Sequence, residues 1–258
     1  MGALALVVPL ACVGSISDPA AGVDGSGGRD DLTGEPGDDL LFVPEGLPNA
    51  NVNGTDVGLV LAAFTLAQGA TGPELFAAVR NDGDAPACQP GMTVDFYDQA
   101  DQRVSSAGGV LQSGRLYQLD DGTIIPCIAP GQTAMAAATA LPDAIVIDEL
   151  GHLEHLFPAF VLDGIVPVAG LAVSGVAAVA TDAGHVYTGQ LTNGLDVTVR
   201  APQVLVFPVN RVGRPLGVAM SRGTADLPAG GSRTFETSSV DTFGVDFVAF
   251  PVASIPTH

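Results

Sequence analysis

Residues Glu74 to Asp98 read ELFAAVRNDGDAPACQPGMTVDFYD, and residues Val186 to Asn210 read VYTGQLTNGLDVTVRAPQVLVFPVN. The two stretches share a spacing. Asn81 is followed nine residues later by Pro90, and Asn193 nine residues later by Pro202. Thirteen residues after each asparagine stands a valine, Val94 or Val206, and seventeen after it a turn-former, Asp98 or Asn210. Each feature has a backbone reason. An asparagine closing a strand caps its own main chain in an Asx turn, and Gly83 and Gly194 supply positive φ nearby. A proline just before the next strand loses only a donor that the ladder does not need. Met92, Val94 and Phe96 then share one face of that strand and Thr93, Asp95 and Tyr97 the other, so one face is core and one is wet. Asp98 to Asp101 and Asn210 to Gly213 carry hairpin turn chemistry. The unit is strand, turn, strand, written twice, which predicts an all-β chain of two tandem antiparallel β sandwiches.

Outward from these stretches, short apolar runs alternate with period two between Gly, Pro, Asn and Asp clusters. Strands are expected at Leu40–Val43, Val57–Leu66, Glu74–Asn81, Met92–Asp98, Arg103–Gln112, Thr133–Leu141 and Leu153–Leu162. A second series follows at Leu171–Thr181, Val186–Thr192, Gln203–Val209, Pro215–Arg222, Arg233–Ser238 and Val245–Val252. The shared register breaks later: Asn81 to Gly131 spans 50 residues, Asn193 to Gly230 only 37, so the first unit carries an insertion of about 13 that contains Cys127. Ile165 to Ala180 is apolar but too short for a bilayer and interrupted by Pro167, Gly170, Ser174 and Gly175, and so reads as a link into the second unit. The expected division is a signal segment over 1–12, a tether over 13–39, a first sandwich over 40–163 and a second over 164–258.

The amino terminus and the cysteines are read together. Ala3 to Ala11 is apolar and ends in Leu10-Ala11-Cys12. This resembles a bacterial lipoprotein signal, and the resemblance implies a lipid anchor on Cys12 and attachment to a membrane through it. Such a run is too short to span a bilayer. A buried first strand carrying a buried thiol is the alternative. Cys88 and Cys127 then remain as an even pair, which in an exported protein reads as a disulfide, two buried thiols being the alternative. If the strands alternate as a meander, the loop after Asn81 and the loop before Gly131 share one end of the sandwich, which brings the two cysteines together. Between signal and first strand, Gly14 to Asp39 is dominated by Gly, Asp, Ser, Pro and Ala, the composition of a solvated tether.

Composition excludes several partners. The 258 residues carry 28 acidic and nine basic side chains, a net charge of −19, so there is no basic stripe for nucleic acid and no polybasic patch for anionic lipid. All nine basic residues are arginine.

Val79-Arg80-Asn81, Val94-Asp95-Phe96-Tyr97-Asp98 and Ala129-Pro130-Gly131-Gln132-Thr133 together resemble the FxLYD domain, an immunoglobulin-like β sandwich of bacterial envelope proteins. The likeness covers roughly residues 56 to 163 and, more distantly, 169 to 252. It implies an extracytoplasmic scaffold or interaction module and brings no catalytic residues or cofactor.

A search for chemistry points the same way. The sequence has no nucleophile elbow, P-loop, dinucleotide fingerprint or metalloprotease helix. In His152-Leu153-Glu154-His155 the first and third residues share a strand face while His155 points away, so the run alone cannot build a metal site. His185 is isolated and His258 terminal. The chain has no tryptophan, which leaves Tyr97, Tyr117 and Tyr187 as aromatic platforms. Asn53-Gly54-Thr55 matches a glycosylation sequon. The expectation is a non-catalytic outer-envelope lipoprotein, with no cofactor or metal, that binds an envelope protein or glycan. Its recognition surface is expected on the inserted loop Ser113 to Pro130, with Arg115, Tyr117, Asp120 and Asp121. The competing class is a calcium-dependent adhesin or a secreted enzyme with a site built from scattered carboxylates.

Overall fold

The computed structural model describes residues 57–254 apart from 70, 140, 143, 224, 242 and 243, and apart from the side chains of 253 and 254. Cys12, the tether over 13–39, the strand Leu40–Val43, the sequon at Asn53 and His258 lie outside the described residues. The described chain is all-β, with strands β1 (Leu59–Gly69), β2 (Gly72–Asn81), β3 (Ala87–Cys88), β4 (Gly91–Asp98), β5 (Arg103–Val110), β6 (Leu116–Gln118), β7 (Ile124–Ile128) and β8 (Thr133–Ala138). A single 3-10 turn, Ile147–Glu149, precedes β9 (Leu150–Leu156). There follow β10 (Val166–Val168), β11 (Leu171–Thr181), β12 (Gly184–Asn193), β13 (Arg200–Val209), β14 (Ala219–Met220), β15 (Ser232–Glu236) and β16 (Asp246–Ser254).

The sheets come in matched pairs. In the amino-terminal half β1-β2-β8 faces β5-β4-β9; in the carboxy-terminal half β11-β12-β15 faces β14-β13-β16, every pairing being antiparallel. The strand interiors follow from alternation. Leu75, Ala77 and Val79 of β2 meet Met92, Val94 and Phe96 of β4 in one core, and Tyr187, Leu191, Val204 and Val206 meet in the other. Two expected strands stop well short of their apolar runs. Pro158 follows the end of β9, and Pro215 and Gly217 confine the run before Arg222 to Ala219–Met220, because proline has no N–H to donate and glycine no side chain to pack.

What closes each half is a buried asparagine. Asn81 is fully buried at the end of β2; its Nδ2 donates to the carbonyls of Ala85 and Ile128, each at 2.8 Å, and its Oδ1 accepts from Gly83 N at 2.9 Å. Its main chain donates to Gln132 O at 3.0 Å and accepts from Gly131 N at 2.8 Å. Asn193 repeats this at the end of β12. Its Nδ2 donates to Val197 O at 2.8 Å, Pro228 O at 3.0 Å and Leu227 O at 3.1 Å, and its Oδ1 accepts from Leu195 N at 3.0 Å. One amide thus ties the outgoing loop to the later turn that returns the chain to the same sheet. Gly131 and Gly230 give those turns positive φ, +73° and +65°, whereas Gly83 and Gly194 do not adopt the positive φ expected of them. At Gly58, φ is +69° and a Cβ would lie 2.6 Å from the Cα of Gly83, so only glycine allows Gly58 O to accept from Asp82 N at 2.8 Å.

The second duplicated turn is as close. Asp98 Oδ1 accepts from Ala100 N and Gln102 N at 2.8 and 2.9 Å, and Asn210 Oδ1 from Val212 N and Arg214 N at 3.1 and 3.0 Å. Asp101 and Gly213 occupy the positive-φ position of each turn.

The halves are packed on one another, and all described residues belong to one compact unit. Ala78 and Met135, with Ala63 and Ala137, form a seam with Phe207, Val209 and Phe250, with Leu205 and Val218 beside them. Phe207 and Phe250 meet edge to face at 6.0 Å, and Thr65 Oγ1 donates to Pro215 O at 2.7 Å across the seam. Where the faces do not meet, the matching positions are polar. Ala78 and Met135 correspond to Gln190 and Thr234, which are exposed, and Leu205, Phe207 and Val209 correspond to Thr93, Asp95 and Tyr97. Burial, and not the local fold, has therefore sorted apolar from polar residues on these outer faces.

The asparagine clamp has a measurable cost of removal. Asn193→Ala takes the side-chain donor from three inward carbonyls, of which Leu227 O and Pro228 O keep main-chain donors from Val199 and Gly231 while Val197 O loses its partner, and is expected to lower unfolding stability by about 2 kcal/mol in a denaturant titration, with Asn193→Asp at least as damaging at neutral pH because a carboxylate has no donor to offer. Asn210→Ala, in the exposed turn, is expected to cost about 1 kcal/mol.

Candidate interaction site

The insertion is a built structure. β6 and β7 form a hairpin whose tip is closed by Leu119 N to Thr123 O at 2.8 Å and Gly122 N to Leu119 O at 2.9 Å. β3 pairs with the far side of β7, β10 with the far side of β6, and the order across the sheet is β10-β6-β7-β3. Cys88 and Cys127 stand opposite one another in this ladder and are joined by a disulfide; both are fully buried. Phe160 extends the ladder past β3, exchanging hydrogen bonds with Cys88 at 2.7 and 2.9 Å. Tyr117, Ile125 and the two cysteines form a small core, closed over by Leu119, Leu162 and Ile165.

Polar groups fix this module to the first half. Ser113 Oγ, buried, donates to Cys127 O at 2.6 Å. Gln132 donates through Nε2 to Ser113 O at 2.7 Å and accepts through Oε1 from Ala129 N at 3.0 Å, so one side chain spans both ends of the insertion. Toward the second half, Leu116, Ile124 and Val168 pack against the core formed by Leu171, Tyr187 and Leu195. The insertion belongs by sequence to the first half and by packing to both.

The four residues expected to recognise a partner are divided by this geometry. Arg115 is exposed at the start of β6, and Asp120 and Asp121 are exposed at the hairpin tip. Thr123 N donates to Asp121 Oδ1 at 2.9 Å, and hydrogen bonds from Thr123 hold that carboxyl below its usual range. Tyr117 differs: it is 8% exposed, paired with Ile125 on one side and Pro167 on the other, and packs in the core around the disulfide. It braces the hairpin and offers no contact surface. The exposed apolar residues here are ones that loop position alone did not single out, Phe160 at 45%, Val161 at 41% and Val166 at 54%. Their signal was an apolar run continuing past Pro158, where a strand could no longer bury it.

His152 and Glu154 fall on the outer face of β9. Tyr97 stacks on His152 with ring centroids 4.5 Å apart and donates from its hydroxyl to Glu154 Oε2 at 3.0 Å, a bond that pushes the phenol pKa up. His152 lies 3.6 Å from Asp101, and Arg103 pairs with Asp95 at 3.0 Å. Tyr97 is thus flanked and fixed, while Tyr117 and Tyr187 are buried, so no described tyrosine offers a free flat face of the kind sugars stack on. His155 turns the other way, 5.0 Å from Phe157, and burial lowers its pKa.

Two shallow hollows open on the second half. One is lined by Ser174, Gly175, Thr188, Gln190, Thr234 and Glu236; the other includes Ser221, Arg222 and Arg233. Arg233 donates to the carbonyls of Ala225 and Pro202, which makes it a strut. Glu236 borders both hollows, and no hydroxyl of either is hydrogen-bonded to its carboxylate. Among the described residues no group of three His, Cys, Asp or Glu side chains is placed to hold a metal ion, and no helix is long and apolar enough to cross a membrane.

No known family model matches the sequence, and no curated protein matches it. Among solved structures, red sea bream transglutaminase aligns at 12% identity over 76% of this chain and 29% of its own, with a TM-score of 0.23. The exo-chitosanase CsxA of Amycolatopsis orientalis aligns at 11% identity over 68% of this chain and 23% of its own, with a TM-score of 0.20. The chain thus spans less than a third of either protein, and at such TM-scores neither assigns a family or an activity.

Two outcomes follow from the site. Replacing Cys88 and Cys127 together by alanine is expected to cost about 3 to 4 kcal/mol, read as a lowered Tm in the oxidised protein. For His155 the folded pKa lies below the ordinary 6.5, so the unfolded chain binds the extra proton first. Its contribution is complete above that value and is lost as pH falls through the window beneath it, and His155→Gln is expected to flatten this part of a stability profile measured between about pH 7.5 and 5.

Proposed function

We propose that this protein is a non-catalytic lipoprotein of the bacterial cell envelope, anchored through Cys12, whose folded part is a structural or interaction module resembling paired FxLYD domains. The observation that carries the reading is the Cys88–Cys127 disulfide. It is fully buried and ties β7, within an insertion that the second half lacks, to β3 in the loop that follows Asn81. A bond of that kind belongs to chains that fold in an oxidising compartment. The apolar run ending at Cys12 supplies the export route, and Val13 after it suits passage to the outer membrane.

Within this reading the inserted hairpin is the recognition element. It sits on a rigid, disulfide-braced base, and it presents Arg115, Asp120 and Asp121 beside exposed Phe160, Val161 and Val166. A mixed polar and apolar surface on a braced loop suits an envelope protein partner. A glycan is the less favoured ligand, since Tyr97 is stacked and the other tyrosines are buried.

The anchor is tested by expression in a Gram-negative host and intact-mass analysis with and without reduction. A mature chain beginning at Cys12, heavier by its acyl groups and gaining two protons on reduction, is expected, and Cys12→Ala is expected to move the protein out of the membrane fraction. An unprocessed chain, or a Cys12→Ala variant that stays with membranes, overturns the reading.

A further inference from the structure

The clamp of the second half is built on a chemically labile pair. An asparagine loses ammonia when the main-chain nitrogen of the next residue closes a five-membered imide ring on its Cγ, and glycine, with no side chain and the widest backbone freedom, hinders that closure least. Among the described residues Asn193-Gly194 is the only asparagine followed by glycine; Asn81 is followed by Asp82 and Asn210 by Arg211.

The fold itself demands this pair. In each half the residue after the clamp asparagine is bonded to the glycine that precedes the first strand: Asp82 N donates to Gly58 O at 2.8 Å, and Gly194 N to Gly170 O at 2.9 Å. In the first half the close approach falls between Gly58 and Gly83, which leaves position 82 able to carry a side chain, and Asp82 pairs there with Arg80. In the second half it falls on position 194 itself, where a Cβ would lie 2.8 Å from Gly170 O. The donors of the clamp require the asparagine, and this contact favours the glycine.

The folded state withholds each part of the reaction. The attacking nitrogen, Gly194 N, is engaged with Gly170 O. The leaving nitrogen, Asn193 Nδ2, is held by the carbonyls of Val197, Leu227 and Pro228, and Oδ1 accepts from Leu195 N at 3.0 Å. Asn193 is fully buried, away from the water that must open the ring. Unfolding releases all of these restraints together.

We propose that Asn193-Gly194 is a deamidation site gated by unfolding, so that the second clamp, once released, is lost with time while the first is kept. Water is the only co-reactant. Gly194 N bonds to Asn193 Cγ, the Cγ–Nδ2 bond breaks, and ammonia leaves with the proton that Gly194 N gives up. Water then opens the imide at either carbonyl and leaves aspartate or isoaspartate at 193. Aspartate has no donor for the three carbonyls. Isoaspartate also routes the main chain through the side-chain carbon, which lengthens the backbone between β12 and its loop. Both products oppose closure of the clamp, so unfolding becomes irreversible in proportion to the time spent unfolded. Nothing in this chemistry depends on the compartment in which the chain resides.

The test holds the oxidised full chain carrying Cys12→Ser at mildly alkaline pH, folded in buffer and unfolded in guanidinium chloride, and follows residue 193 by peptide mass and isoaspartate content. In guanidinium Asn193 is expected to convert well ahead of Asn81 and Asn210, and in the folded chain at least about a hundredfold more slowly. On return to buffer, the share of chains that regains protease resistance is expected to fall in step with conversion, and the converted chains to collect in the protease-sensitive fraction. Asn53 is also followed by glycine, and Asn53→Gln is expected to leave that loss unchanged. Should the chain fail to refold even without delay, Asn193→Asp expressed directly decides the consequence, with a lowered denaturant midpoint expected. Conversion as fast folded as unfolded, conversion at 193 no faster than at Asn81 or Asn210 in guanidinium, converted chains that refold as well as unreacted ones, or an Asn193→Asp midpoint equal to that of the parent overturns the proposal. A loss abolished by Asn53→Gln overturns it too, and moves the labile pair to the amino-terminal segment.

Discussion

A sandwich whose sheets are joined by long loops must bring three distant pieces of chain to one end without burying bare carbonyls, and here a single primary amide meets that need in each half. Asn81 and Asn193 each have a carboxamide that donates inward to loop and turn carbonyls and accepts one main-chain N–H. An aspartate would lack the donors, and a glutamine, one methylene longer, would carry its amide past the carbonyls. The prolines, glycines and Asx turns that follow each asparagine take up positions this clamp has already set.

Given that frame, divergence between the halves is readable as function of position. The outer faces that meet are apolar and those that face water are polar, although the strands beneath are matched residue for residue. The insertion then adds a brace, since its hairpin is bonded to the first half through Cys88 and Gln132 and packed on the second through Leu116, Ile124 and Val168. Seam and brace act on the same pair of halves, and an exposed hairpin tip on such a base is held in one geometry.

Much of this was legible in the residues. The all-β class, the duplicated spacing, the register break and the proximity of Cys88 and Cys127 all follow from local rules of turn chemistry and alternation, which need no knowledge of the partner surface. What was not legible depends on tertiary contact. β3, β6 and β10 are two or three residues long and exist only because a neighbouring strand is there to pair with them. Tyr117 has the composition of an exposed loop around it, and only the disulfide core explains its burial. The seam left one trace, since Val204 to Val209 is apolar on both faces where the matching strand alternates with Thr93, Asp95 and Tyr97, but that run does not say which surface covers it.

The claim on which the rest turns is that the halves form a single cooperative body, and calorimetry of the oxidised protein tests it most directly. One transition, with calorimetric and van't Hoff enthalpies equal, is the predicted result, because the seam of Ala78, Met135, Phe207 and Phe250 cannot persist when either half is unfolded. Two resolved transitions would contradict it, and would mean that the sandwiches stand beside one another without sharing a core.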